Sequence, residues 1–374
     1  MERGVEEGQR LTAEDQLFIL MQAARYLSVT RGHQASEMRI CYERAELLCH
    51  SLNRPLLLYV ALIGQWRYSL VTDKLTATMQ IAKRVYSIAQ EQNDTALLLK
   101  AYLALAATLY YLGNFESALQ YTMRGAQLWR SGGVKSQAEE VDPPAIGCLC
   151  HEALIQWHFG EIASCHASMA EAISLAKELN DIPGLAVALN YAAFLGYFER
   201  NPAQVERLAS DLIELSTRHN FAHWLAMGAV FRGWARSASG DTQQGIAWIE
   251  DGIENLRANG SVLGVLCLLA LKAEALHLAN RTSEALEVID EAEALVERSE
   301  GRWWCAELYR LRGVFLTTIG ADETQIEALF HNAIRIAKEQ KSVSLEKRAE
   351  ATYAEYRKQK ASALGGLSFR LPLW

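Results

Sequence analysis

The stretch Leu109-Tyr-Tyr-Leu-Gly-Asn-Phe-Glu-Ser-Ala-Leu-Gln-Tyr121 sets a glycine turn between two segments of helical apolar spacing. Glycine suits such a reversal because it adopts the left-handed backbone that ends a helix without a steric penalty. Moving outward from Gly113, the same feature recurs. The turn series is Gly32, Asp73, Gly113, Gly160, Arg200, Gly240, Asn280 and Gly320, with steps of 41, 40, 47, 40, 40, 40 and 40. The one long step holds the stretch from Ser131 to Pro144, rich in Gly, Glu and Pro, which reads as a loop insertion. A second series, Asn53, Asn93, Asn180, Asn220 and Asn259, closes the alternate segments at steps of 39 or 40 outside the insertion. Two turn series with one period make a repeat array.

Between turns the spacing is helical. Ala285, Leu286, Ile289, Ala292, Leu295 and Val296 fall on one face at three- and four-residue steps. Asn201-Pro202 reads as an N-cap with Pro at the first helical position, and Asp241 with Gln244 as a capping box. Small residues recur seven before, five after and twelve after the turn: Ala106, Ala118 and Gly125; Ala153, Cys165 and Ala172; Gly233, Gly245 and Gly252; Ala273, Ala285 and Ala292. Helices cross closely there, and a larger side chain would overpack the crossing.

The expected fold is therefore all-α: a right-handed α-solenoid of about eight helical hairpins with a forty-residue period, plus a closing helix from Val343 to Lys360. Residues 1–11 read as a disordered N-terminus and 12–360 as the solenoid. The 131–143 loop is either an inert insertion or a hinge between lobes 12–130 and 144–360. Residues 361–374 fit no further repeat and read as an irregular tail, frayed or strand-like.

Composition agrees. Of 374 residues half are apolar, 22% are charged and only 6 are Pro, as suits helices turned by Gly and Asn. The net charge of −7 disfavours direct nucleic-acid binding, which needs a basic surface. Basic residues between Lys347 and Lys360 are interleaved with Glu350 and Glu355 and read as a solvated helix face. The longest apolar runs, Leu56 to Ile63 and Val262 to Leu271, are too short to span a membrane, and the acidic N-terminus is not a signal peptide. Seven Cys without a CxxC motif read as free thiols, which places the chain in the cytoplasm.

These positions resemble the tetratricopeptide (TPR) pattern, closest around Leu109 to Tyr121, although forty residues exceed the family's usual period. From Leu17 to Lys360 the chain also resembles the C-terminal helical repeats of bacterial multidomain predicted ATPases, many fused to adenylate/guanylate cyclase domains, and of maltose-activator-type regulators. Asp94 to Tyr102, Phe231 to Ala235, Trp304 to Gly313, Phe330 to Ala337 and Ser344 to Ala349 carry that resemblance. It implies a non-catalytic protein-interaction module of bacterial signal transduction, partnered by ATPase or cyclase modules encoded upstream. The alternative it leaves open is a detached C-terminal remnant of such a regulator, without a role of its own.

No GxxxxGK[ST], Rossmann or GxSxG motif occurs. His151-Glu152 would begin a zinc-protease helix only with His at 155, which is Ile155. Cys148, Cys150, His151, His158, Cys165 and His166 form the densest metal-capable group; packing thiols and imidazoles are the simpler account, and a metal-dependent enzyme the remote one. No catalytic residue, cofactor or metal is expected. Most of the Trp residues sit at apolar helical positions and read as core.

In TPR superhelices the first helix of each hairpin lines the concave face. That geometry places Arg67, Lys100, Tyr110, Asn190, Tyr197, Trp234, Glu274, His277, Glu307 and Arg310 there, thirteen, ten, six or three residues before the turns, as candidates for binding a protein or peptide.

Overall fold

The computed structural model describes residues 11–31, 35–72, 74–132, 144–258 and 264–362. They form eight helical hairpins and a last helix. The first four hairpins are α1 (Ala13–Arg31) with α2 (Ser36–Ser51), α3 (Pro55–Thr72) with α4 (Leu75–Gln92), α5 (Thr95–Tyr111) with α6 (Phe115–Arg130), and α7 (Pro144–His158) with α8 (Ile162–Glu178). Then come α9 (Ile182–Phe198) with α10 (Pro202–His219), α11 (Ala222–Ala238) with α12 (Thr242–Ala258), α13 (Val265–Leu278) with α14 (Thr282–Ser299), and α15 (Cys305–Thr318) with α16 (Glu323–Glu339). The closing helix is α17 (Val343–Ser362). Among the described residues there is no strand, so the fold is a TPR-like all-helical solenoid.

The turn chemistry acts as the sequence implies. Gly113, Gly160, Arg200, Gly240, Asn280 and Gly320 all have positive φ, as do Asn53, Asn93, Asn180 and Asn220. The Asn series extends further than its residue type shows, because Glu300 (φ 64) and Lys341 (φ 56) take the same conformation. Gly32, Asp73 and Asn259 lie outside the described residues, as do 1–10, 133–143 and the tail from 363. Side-chain oxygens of Asp94, Asn114, Asp181, Asn201 and Asp322 accept backbone N–H groups at helix starts. Each such cap satisfies a donor that the helix leaves open and contributes about 1 kcal/mol. Asp241 accepts the N–H of Gln244 in the same way. Pro55, Pro144 and Pro202 are first helical residues, where no amide proton is needed.

The small positions are true close approaches. A Cβ added at Gly233 would lie 2.5 Å from the Gly245 carbonyl oxygen, and one at Gly245 would lie 2.4 Å from the Gly233 oxygen. Bare backbone thus sets the α11–α12 distance. One hydrophobic cluster runs from Leu99 on α5 to Tyr356 on α17, on both sides of the 131–143 segment. The first two hairpins instead contribute to three smaller clusters.

The solenoid winds back onto itself. The Arg302 and Trp303 amides both donate to the Tyr111 carbonyl, at 2.9 and 3.3 Å. Gln340 Nε2 donates to the Arg302 carbonyl (2.8 Å), and Lys341 Nζ pairs with Glu116 at 2.7 Å. Nearby, His158 Nδ1 and Ser342 Oγ are 2.7 Å apart, and Ser344 donates to the Trp157 carbonyl. The links before α15 and α17 therefore sit against the ends of α5 and α7. These contacts with α5 and α7 join residues that lie 184 or more apart in the chain.

Candidate functional site

Side chains from the end of α9 and from α11, α13, α15 and α17 meet at a buried ionic cluster. Arg200 is its hinge. It occupies the left-handed turn after α9 (φ 58), a conformation unusual for a residue with a long side chain. Its Nη1 donates to both carboxylate oxygens of Glu274 (2.8 and 2.7 Å), and its Nη2 donates to Glu307. Tyr197 Oη and Trp234 Nε1 complete the Glu274 shell at 2.8 and 2.9 Å. Glu307 also accepts from Arg310 Nε (3.0 Å) and Nη2 (2.8 Å), while Arg310 Nη1 reaches Thr352 at 3.2 Å. Arg348, from α17, lies 3.4 Å from Glu307 and donates to the Phe198 carbonyl.

Aromatic rings wall this cluster. Trp304 stacks on Phe198 at 4.5 Å, Trp303 lies 5.4 Å from Tyr110, and Tyr197 meets Trp234 edge-on at 5.0 Å. Arg200 sits 4.7 Å over Tyr197 and Arg348 sits 5.3 Å over Trp157. In such a dry setting charges act strongly on one another. Burial alone would raise the Glu307 carboxyl, but Arg310, Arg348 and Arg200 together hold it well below the usual carboxylate range. Burial works against the charge of Arg200, and Glu274 more than offsets it, so that guanidinium is held firmly protonated. Arg348 is the strained member. Burial pushes it down to about 10; Glu307 opposes the shift, and the like charges of Arg200 and Arg310 add to it.

The ten sequence-assigned residues divide into two groups. Tyr197, Trp234, Glu274, Glu307 and Arg310 converge in this cluster, and Tyr110 lies at its aromatic edge against Trp303. These six and Asn190 are buried. They line an interior closed by α15 and α17 rather than an open groove wall. Arg67, Lys100 and His277 are half-buried; His277 is bonded to Thr282 at 3.1 Å and lies near enough to Glu274 to feel its charge.

Two members were hidden from sequence reading. Arg200 read only as a turn residue; the available signal was an arginine in a series otherwise made mostly of Gly and Asn. Arg348 fell in a stretch read as solvated. Lys358 is indeed exposed, whereas Arg348 is turned inward to Glu307 and keeps only 15% of its side chain accessible. The metal-capable group is spread over separate partners. His151 is bonded to the Gly147 carbonyl and Tyr191, and His166 pairs with Glu199. The Cys148 and Cys150 thiols are pushed up by burial, and that of Cys165 to about 12 by the same cause. Among the described residues no three His, Cys, Asp or Glu side chains are placed to hold a metal ion, and no helix is long and apolar enough to cross a membrane.

Comparison with known proteins follows the fold. Residues 146–197 match the family model described as anaphase-promoting complex subunit 5. An uncharacterized protein of Rhizobium meliloti (strain 1021) is 22% identical over 293 residues, covering 78% of this chain. The chain spans 28% of that relative's length. Among solved structures, NprR in complex with its cognate peptide NprX is similar with a TM-score of 0.58 at 14% identity, over 95% of each chain. A Rap protein complexed with competence and sporulation factor gives 0.54 at 10% identity, over 94% of this chain and 99% of the other. Identities this low establish a shared solenoid architecture.

Proposed function

We propose that the chain is a non-catalytic interaction module of a regulatory system, and that its inner face receives a protein or peptide. The observation that carries this reading is the inner cluster of Arg200, Glu274, Glu307, Arg310 and Arg348. Apolar side chains of similar volume would hold the fold at least as well, since desolvating ionic groups costs several kcal/mol each. Charges kept on the face where solenoids meet ligands point to recognition of polar or charged groups. The solenoids it resembles in shape include NprR solved with its cognate peptide and a Rap protein solved with competence and sporulation factor, which supports the same reading. Binding at the buried positions exchanges the chain's own contacts at Tyr111, Trp157 and Phe198 for contacts to the ligand. Half-buried Arg67 and Lys100 mark where a ligand would first engage.

Panning a random peptide library against the intact protein tests this. The expected result is an enriched motif whose binding slows amide exchange in α5, α7 and α9 and weakens in Arg200→Gln. Absence of any motif, or peptides that protect only outer helix faces, contradicts it.

One observation favours a second reading. This chain spans 28% of the Rhizobium relative's length, which suits a repeat region working with ATPase or cyclase modules. Sequencing the adjoining DNA decides it. A neighbouring frame with a phosphate-binding loop supports the reading, and its absence counts against it.

A further inference from the structure

The outward face of α2 differs from that of every other second helix in the array. Each of these helices buries a recurring set of positions, in α2 Met38, Tyr42, Ala45 and Cys49. Aligned on that set, the two outward positions are Ile40 and Leu47. The same positions hold Gln80 and Ser87 in α4, Gln120 and Gln127 in α6, and Arg207 and Glu214 in α10. In none of the other seven hairpins is either one an apolar residue larger than alanine, and in all eight both positions are exposed. Ile40 is 43% and Leu47 71% accessible. Polar residues or alanine at these two positions in seven copies, and large apolar residues at both in one, make α2 a local exception to the pattern of the repeat, and exposed apolar groups of this kind mark interaction surfaces.

The residues between them say what covers the face. Glu43 and Arg44 lie on the same stripe, at three and four residues from Ile40 and from Leu47. Glu43 makes only an exposed pair with Arg39, at 3.3 Å, and Arg44 makes no ion pair among the described residues. The order Ile-x-x-Glu-Arg-x-x-Leu is self-complementary about its midpoint. When two such helices lie antiparallel across a twofold axis, Ile40 meets Leu47 of the second copy and Glu43 meets Arg44 of the second copy. Glu37 then faces His50 of the second copy at either end. A different partner would require no such symmetry. Closed twofold pairing, in which one patch meets itself, is the commonest form of self-association.

We infer that α2 is a twofold docking surface for a second copy of this chain, with Ile40 and Leu47 as its apolar contacts and Glu43–Arg44 as its charge register. One pair of 16-residue helices is a small interface beside the roughly 1,200–2,000 Å² typical of stable complexes, so weak, concentration-dependent association is expected.

Sedimentation velocity on the intact protein, from about 1 to about 300 µM, tests this. The mass rises from 41.7 kDa towards twice that value. Leu47→Glu stays at 41.7 kDa throughout. Arg44→Glu sets carboxylates against each other and weakens association about tenfold, a loss of about 1.4 kcal/mol. The double change Glu43→Arg with Arg44→Glu restores association, because it reverses the register without breaking it. All four positions are exposed, so thermal melting stays unchanged and separates loss of docking from loss of folding. A wild-type protein that remains at 41.7 kDa at every concentration overturns the inference. So does a dimer that persists in Leu47→Glu, or a double variant no better than Arg44→Glu.

Discussion

Hairpins one and two, and hairpins three to eight, are built from the same forty-residue unit, yet they solve different problems. From α5 onward the units share one core, and their inward side chains meet across a closed interior. The first two hairpins hold smaller clusters. Nine of the thirteen exposed large apolar residues among the described positions lie between Leu11 and Val60. A solenoid unit buries its faces only against neighbours, so units that meet across the winding gain burial that a terminal unit lacks. The difference shows that exposed apolar surface concentrates at the N-terminal hairpins, whereas the charged inner cluster is covered by the chain's own residues.

The comparison breaks most severely at Glu274. Glu274→Ala leaves Arg200 buried without its main counter-charge, and destabilisation of about 3–5 kcal/mol is expected in urea unfolding. The half-exposed pair Arg84–Glu46, in hairpins one and two, should by contrast cost about 0.5 kcal/mol on Arg84→Ala. Equal losses at the two sites would remove the distinction.

Acid should act on the closed region first. His151 and His158 are held neutral by burial, His151 down to about 4 and His158 well below its ordinary 6.5. The unfolded chain takes up these protons near pH 6.5, while the folded chain does not. Stability is therefore full above about pH 6.5 and falls as pH drops, by about 1.4 kcal/mol per pH unit for each group. Glu307, with its lowered carboxyl, adds to the loss below about pH 4.5. Urea unfolding followed by tryptophan fluorescence at pH 7.5 and 5 checks this, and unchanged stability would place both histidines in water.

Gly233→Ala is expected to cost about 1–3 kcal/mol, because the new methyl meets the Gly245 backbone and no flexible side chain can give way. Calorimetric melting reads it. The smallest effect concerns dynamics. Amides of α1 and α2 should exchange faster than those of α7 to α13, as their smaller clusters and exposed apolar residues imply.

How much of this was legible follows from which signals are local. Turn residues, caps and small crossing positions act within a few residues, so Gly113, Asn201 and Gly233 announced the repeat. The inward stripe was legible as well, since Tyr197, Trp234, Glu274, Glu307 and Arg310 do converge. Their burial was not. Whether a solenoid closes depends on small rotations summed over many units, and no single residue encodes that sum. Arg348 shows the same limit: Lys347 beside it is exposed, whereas Arg348 turns inward to Glu307 on α15 and, across the winding, to the Phe198 carbonyl. Glu300 and Lys341 carry the turn series without the residue types that reveal it.

The central claim is the closure itself, and zero-length carbodiimide cross-linking of the wild-type protein tests it most directly. Lys341 and Glu116 are 225 residues apart in sequence, 2.7 Å apart in space and well exposed. A closed solenoid gives a Lys341–Glu116 cross-link within the monomer fraction, alongside the neighbouring Lys338–Glu346 link, whose groups are 3.4 Å apart. Recovery of the Lys338–Glu346 link without the Lys341–Glu116 link would show reactive lysines on an open superhelix, and would contradict the account.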